Sequence, residues 1–462
     1  MTEEMPKWDL SDLYESMDSP ELKKDMATLS AGATRFETRY KGGLSELSPA
    51  EFGKSITEYE KLNETAQKLD TYAYLLHSTN MNDPVVSGFY QNVQEKGNDV
   101  AGKMLFYTLE INKLSDSELK DKLTDKTVRD YAPWLENVRA GREHQLPENL
   151  EKMLLDKSMS SATAWNRLYD ETMAGLRFNV GGKQLTEPEA TALMSSPDME
   201  TRHEAGAEID RVMKQNMPVF ALITNTLAKD KQIEDEWRGY KRPISERNVA
   251  NQVEDEVVDA LVDSVVDSHA DISHRYYKMK ADWLGVDKLE YWDRNAPIPG
   301  VEGRKYTWDE AKSTVLAAYN EFSPEMAAIG KKFFDNNWID VAPKEGKEGG
   351  AYAHPAVPSA HPYLMLNFMG SSGDVMTLAH ELGHGVHQYL ARKQGLLKSE
   401  TPITLAETAS IFGEMMTFKY MLKHEKDPKQ RFAMLAEKTG SMLNTTVRQI
   451  AFHRFETDVH TT

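Results

Sequence analysis

The chain has no cysteine in its 462 residues. That excludes disulfides, thiolate metal ligands and a cysteine nucleophile, so any bound metal must rest on His, Asp and Glu. Basic charge is also short, with 55 Lys and Arg against 73 Asp and Glu and a net charge of −18. A broad basic face for nucleic acid or an anionic membrane is therefore not expected. The acidic start Met1-Thr2-Glu3-Glu4 has no apolar run behind basic residues, and no stretch reads as a transmembrane span. Cytoplasm is the default expectation. Internal repeats and low-complexity linkers are missing too. Nothing in the composition sets an oligomeric state.

What is there is ordinary for a globular chain: 28% charged and 40% hydrophobic residues. The length suffices for a large core in one large domain or two or three smaller ones. Most of it reads as helix. Ser48-Pro49-Ala50-Glu51 is a capping box with Pro at the first helical position, opening a run through Tyr59, Leu62 and Leu69. Asp83-Pro84 starts a second helix, Pro147 to Met173 spans a third, and Asp255 to Trp283 is apolar at helical spacing. Leu176 to Leu185, with Gly181-Gly182 at its centre, reads as a short hairpin, and Thr186 with Glu189 caps the helix after it. The seam falls near this hairpin and divides the chain into an N-terminal helical region, residues 1–180, and a catalytic region, residues 181–462. Between Val341 and Ser372 the helical pattern stops and Pro and Gly accumulate. There Tyr363 to Phe368 reads as one short strand, expected at the edge of a small sheet.

The strongest chemical signal is His380-Glu381-Leu382-Gly383-His384. It lies in a helix with Asp374 as its expected cap. Residues four apart sit about 40° round a helix, so both imidazoles share a face and can hold one zinc ion. Glu381 points to the side, placed to take a proton from an activated water. A third ligand ten residues after His380 in the H-E-x-x-H-x-x-G-x-x-H pattern is ruled out, because the equivalent position is Leu390. His387 shares the face but lies about 10.5 Å along the axis from His380, too far to join the same metal. It is expected to support a ligand or face substrate. Glu407, 23 residues after His384 on a helix opened by Thr401-Pro402, is the expected third ligand. Small residues Ala406, Ala409 and Ser410 let that helix approach the first. Glu414, seven after Glu407, is placed to orient a zinc histidine through its outer nitrogen. Three protein ligands leave a position for water on the zinc ion, lowering the water's pKa to about 7.

These residues resemble a known family. Gly349-Gly350-Ala351-Tyr352, His361-Pro362-Tyr363-Leu364-Met365-Leu366-Asn367-Phe368, Thr377 to His387, and Leu405-Ala406-Glu407-Thr408-Ala409-Ser410 with Glu414 are similar to the oligoendopeptidase F branch of the M3 (thimet-oligopeptidase-like) metallopeptidases. Weaker echoes run from Trp8-Asp9-Leu10 through Arg238-Gly239-Tyr240 to Trp292-Asp293-Arg294. The resemblance implies a mainly α-helical bowl, with a deep channel and a small sheet beside the zinc helix. It also implies short unfolded peptides as substrates, zinc on His380, His384 and Glu407, and Glu381 as general base. Gly350, Ala351 and Tyr352 are expected to form a loop touching substrate. The strand carrying Tyr363 and Asn367 is expected to pair with an extended peptide. Members of that family continue well past this length, and their further segment carries a His and a Tyr that help bind the substrate carbonyl. The expectation is therefore a C-terminally incomplete catalytic region, weak in catalysis and with apolar surface exposed near Val447, Ile450 and Phe455.

Three other readings compete. An aminopeptidase on a similar core would carry a G-x-M-E-N-like strand, which is missing. A carboxypeptidase-like relative needs only one blocked end of the groove. A peptide- or metal-binding protein without turnover fits the incomplete region.

Overall fold

The computed structural model describes residues 5–301 and 303–462, and its helix starts follow local chemistry. Helices α1 (Pro20–Tyr40), α2 (Pro49–Ser78) and α3 (Pro84–Met104) each begin with Pro behind a side-chain cap, Ser19, Ser48 or Asp83. Pro is tolerated there because the missing N–H has no helical partner in any case. Ser48 and Glu51 close the expected capping box. The expected helix from Pro147 to Met173 is two helices, Glu148–Ser158 and Ala162–Gly175. The break falls at Ser160-Ser161, residues that favour caps and turns over helix interiors.

Strands β1 (Phe178–Val180) and β2 (Lys183–Leu185) form the expected hairpin, with Gly181 and Gly182 at φ +59° and +75°. The long helix α4 (Met199–Arg238) follows. The apolar stretch from Asp255 is interrupted by a π-turn, Ala270–His274, between helices Asp255–Asp267 and Arg275–Leu284. Helices α5 (Trp308–Phe322) and α6 (Pro324–Asp335) then lead into a three-stranded sheet.

That sheet corrects one expectation. Its strands are β3 (Ile339–Asp340), β4 (Tyr352–His354) and β5 (Tyr363–Met365), in the order β3-β5-β4. The strand containing Tyr363 is central and not at an edge, parallel to β3 and antiparallel to β4. Its residues explain the placement: Tyr363, Leu364 and Met365 are each fully buried, and a continuous apolar run suits a strand covered on both faces.

The long helices of the C-terminal part are α7 (Ser372–Ala391), α8 (Ile403–His424), α9 (Pro428–Leu443) and α10 (Gln449–Thr461). One hydrophobic core joins α1–α3 to α5, α6, the sheet and α7. The chain is thus mainly α-helical with small sheets. Among the described residues, no helix is long and apolar enough to cross a membrane. On α10, Ile450 is buried while Phe452 and Phe455 are exposed.

Candidate active site

Helix α7 is built to hold one face rigid and offer the other. Ser371 caps it and Asp374 closes a capping box three residues later, so the cap is Ser371 and not Asp374 as the sequence suggested. Asp374 Oδ2 accepts from the Met369 and Ser371 amides at 3.0 and 2.8 Å. Val375, Leu378, Ala379, Leu382 and Val386 are buried at helical spacing. His380, His384 and His387 occupy the opposite side and are only half-buried.

Two glycines bring α8 against α7. A Cβ added at Gly383 would lie 2.6 Å from the Ala409 carbonyl oxygen. One added at Gly413 would lie 2.8 Å from the Ala379 oxygen and closer still to the Tyr319 hydroxyl. That hydroxyl, from α5, donates to the Ala379 oxygen at 2.6 Å. Ser410, Gly413 and Thr417 form a small buried stripe along α8, so the two backbones meet with almost nothing between them.

This approach delivers Glu407 to the histidine pair. Its Oε2 lies 3.2 Å from His380 Nε2 and 3.4 Å from His384 Nε2, and Ser410 Oγ donates to the same oxygen at 2.6 Å. One donor atom from each of the three residues lies within 4.8 Å of the others. Ligands about 2.0–2.2 Å from a tetrahedral zinc ion sit roughly 3.3–3.6 Å apart, so the two Glu407–histidine separations match such a site and the chemistry of the donor set suits a divalent cation. The two imidazoles hold the Glu407 carboxyl far below the ordinary range. Burial lowers the pKa of His380, but the Glu407 and Glu414 carboxylates outweigh it and lift it to about 9.

Glu414 stands behind the site. Its Oε2 is 3.5 Å from His380 Nδ1, and its Oε1 accepts from Lys438 of α9. Burial alone would raise the Glu414 pKa, but His380 and Lys438 hold it below its ordinary value. With Nδ1 turned toward Glu414, Nε2 is left facing Glu407. No sequence signal marked Lys438, because its partner is 24 residues away on another helix. We predict that Lys438→Met, which strips Glu414 of its counter-charge, weakens metal binding about tenfold in a chelator competition, whereas Lys438→Arg retains most of the affinity.

Glu381 is buried, and among the described residues its carboxylate has no protein hydrogen bond. Burial raises its pKa against the lowering effect of His380 and His384. His387 lies outside the His380–His384–Glu407 cluster. Burial, then His384, lowers its pKa.

The residues expected to touch substrate divide. Gly350 is exposed at φ +77° and Ala351 is half-buried. Tyr352 lies on β4, not in a loop, and its hydroxyl is 2.7 Å from Ser78 Oγ. One expectation is corrected. Tyr363 is wholly buried, its ring 4.4 Å from that of His361, so its side chain is closed to a peptide. Asn367 is half-buried and gives its amide to the Glu348 and Gly350 carbonyls at 3.0 and 2.8 Å, which ties down the glycine loop. With β5 central, the open edge is that of β4. The Leu364 and Leu366 amides donate to Trp338 and Asp340 on the β3 side. Ala353, opposite Leu364, therefore turns its N–H and C=O to the outer edge.

A family model described as Peptidase family M3 matches residues 192–462, and one described as Oligopeptidase F matches residues 110–178. The chain belongs to peptidase family M3. It is 27% identical to Oligopeptidase PepF of Bacillus subtilis over 92% of this chain and 64% of that one. To Group B oligopeptidase PepB of Streptococcus agalactiae it is 28% identical, over 88% of this chain and 68% of that protein. The chain thus spans about two thirds of the length of these M3 relatives. Its fold is similar to that of an oligoendopeptidase-F structure from Enterococcus faecium, with a TM-score of 0.68 at 22% identity, covering 96% of this chain and 75% of that one.

Proposed function

We propose that this M3 chain is a zinc-dependent endopeptidase acting on short unfolded peptides, with residues 1–180 walling the site and residues 181–462 carrying the chemistry. The observation that carries this reading is the convergence of His380, His384 and Glu407 within 4.8 Å beside the buried carboxylate of Glu381. In the proposal His380, His384 and Glu407 hold one zinc ion, with Glu414 orienting His380. Bound there, zinc would act as a Lewis acid and lower the pKa of a water to about 7.

Glu381 takes a proton from the attacking water and returns it to the departing amine. Burial raises its pKa, which favours its accepting that proton. Gly350 and Ala351 lie just before β4, whose outer edge runs beside α7. An extended peptide added to that edge would meet the Ala353 N–H and C=O, placing its backbone along the histidine face.

Digestion of a mixed peptide library, read by mass spectrometry with and without a chelator, tests the reading. Internal cleavage lost on chelation is the expected result, and blocking either peptide terminus should leave it intact. Elemental analysis should show one zinc per chain, lost in His384→Ala. No chelator-sensitive cleavage of any peptide would sink the proposal.

A further inference from the structure

The outer edge of β4 is already in use. Gln388, one turn beyond His384 on α7, donates from Nε2 to the Ala353 carbonyl at 3.1 Å. This is the carbonyl that the sheet register turns away from β5. A residue four places after His384 rises only about 6 Å along the helix and stays near the same face, so the contact sits immediately beside the metal-ligand cluster.

The contact is an imperfect one. Gln388 Oε1 is buried and has no hydrogen-bond partner among the described residues. A buried amide oxygen left unpaired is costly, and most such groups in folded proteins find a donor. Gln388 therefore satisfies the edge carbonyl while leaving its own acceptor unsatisfied. A peptide N–H aligned on the edge can make the same bond to Ala353 without that cost, releasing Gln388 toward solvent where its oxygen is hydrated. Ala353 is the middle residue of β4, and its outward carbonyl is an acceptor that an incoming strand can use.

We propose that Gln388 is a place-holder in the peptide-binding edge: it caps the Ala353 carbonyl when no peptide is present and is displaced by one peptide N–H on binding. The inference rests on the peptide-binding reading above, and it identifies a positioning residue for substrate that the metal motif does not reveal.

The test is peptide binding to the full chain carrying Glu381→Gln in every arm, so that the peptide stays whole. The probe is a capped, fluorescent octapeptide of alanine and phenylalanine, with analogues N-methylated at one residue at a time. Gln388→Met preserves volume but cannot donate, and is expected to bind the parent peptide about three- to tenfold tighter. The gain should recur in every N-methyl analogue except one, whose missing N–H is the one that replaces Gln388. Gln388→Ala should give the same single exception if the packing at this position is incidental. Equal or weaker binding by both variants would overturn the proposal. So would a gain that survives in all analogues, which would mean a widened groove instead. If neither the parent chain nor the variants bind any peptide, the peptide-binding reading itself falls and takes this inference with it.

Discussion

Glu381→Gln is expected to cut peptide turnover by about 10²–10⁴-fold while leaving zinc content unchanged. Glutamine has nearly the same shape but cannot accept a proton from water at neutral pH. The residue lies outside the His380–His384–Glu407 cluster, so the substitution leaves all three metal donors in place. The folded state should not suffer, because burial already disfavours the charged carboxylate at this position. Initial rates on an internally quenched peptide, metal content and a thermal melt check the three parts together. Turnover within about threefold of the parent chain would remove Glu381 from the mechanism. Loss of zinc together with activity would make it a support for the site and not a base.

The second large effect concerns residues that carry no chemistry. Gly413→Ala is expected to lose about 3 kcal/mol or more of stability, at the upper end of overpacking costs, together with most of the metal affinity. The new methyl would lie 2.8 Å from the Ala379 oxygen and displace the Tyr319 hydroxyl that bonds to it. Backbone cannot yield as a flexible side chain can, so α8 must move away from α7. Both Glu407 and Glu414 ride on α8, and each loses its distance to His380 when the helix shifts. Gly383→Ala meets the Ala409 oxygen at 2.6 Å and should behave alike. Gly373→Ala is the contrast: its added carbon meets nothing closer than 3.5 Å, and it should be neutral or stabilise by up to ~1 kcal/mol. Denaturant melts and a chelator competition separate the outcomes. A Gly413→Ala chain with unchanged metal affinity would show that the close helix approach does not set the Glu407 position.

Much of the site was legible because its parts are local. Two histidines four apart on a helix face one way whatever surrounds them, and Ser48 with Glu51 closes a cap within one turn. Glu407 was within reach because the small residues beside it, Ala406, Ala409 and Ser410, allow a return helix to pack closely on the first. The helix breaks at residues 159–161 and 270–274 were missed. Apolar spacing runs through both, and periodicity does not register a change of one residue per turn.

The sequence by itself pointed to the family and the mainly helical build and placed His380, Glu381 and His384 within one helical turn, because these depend on residue type and short-range helical geometry. Tertiary structure alone decided that Tyr363 is buried in a central strand, that β4 owns the open edge, that Asn367 serves the glycine loop, and that Lys438 and Gln388 flank the site. Those facts depend on which strands and helices become neighbours. Neighbourhood is set by the packing of the whole core, which no short stretch of residues encodes.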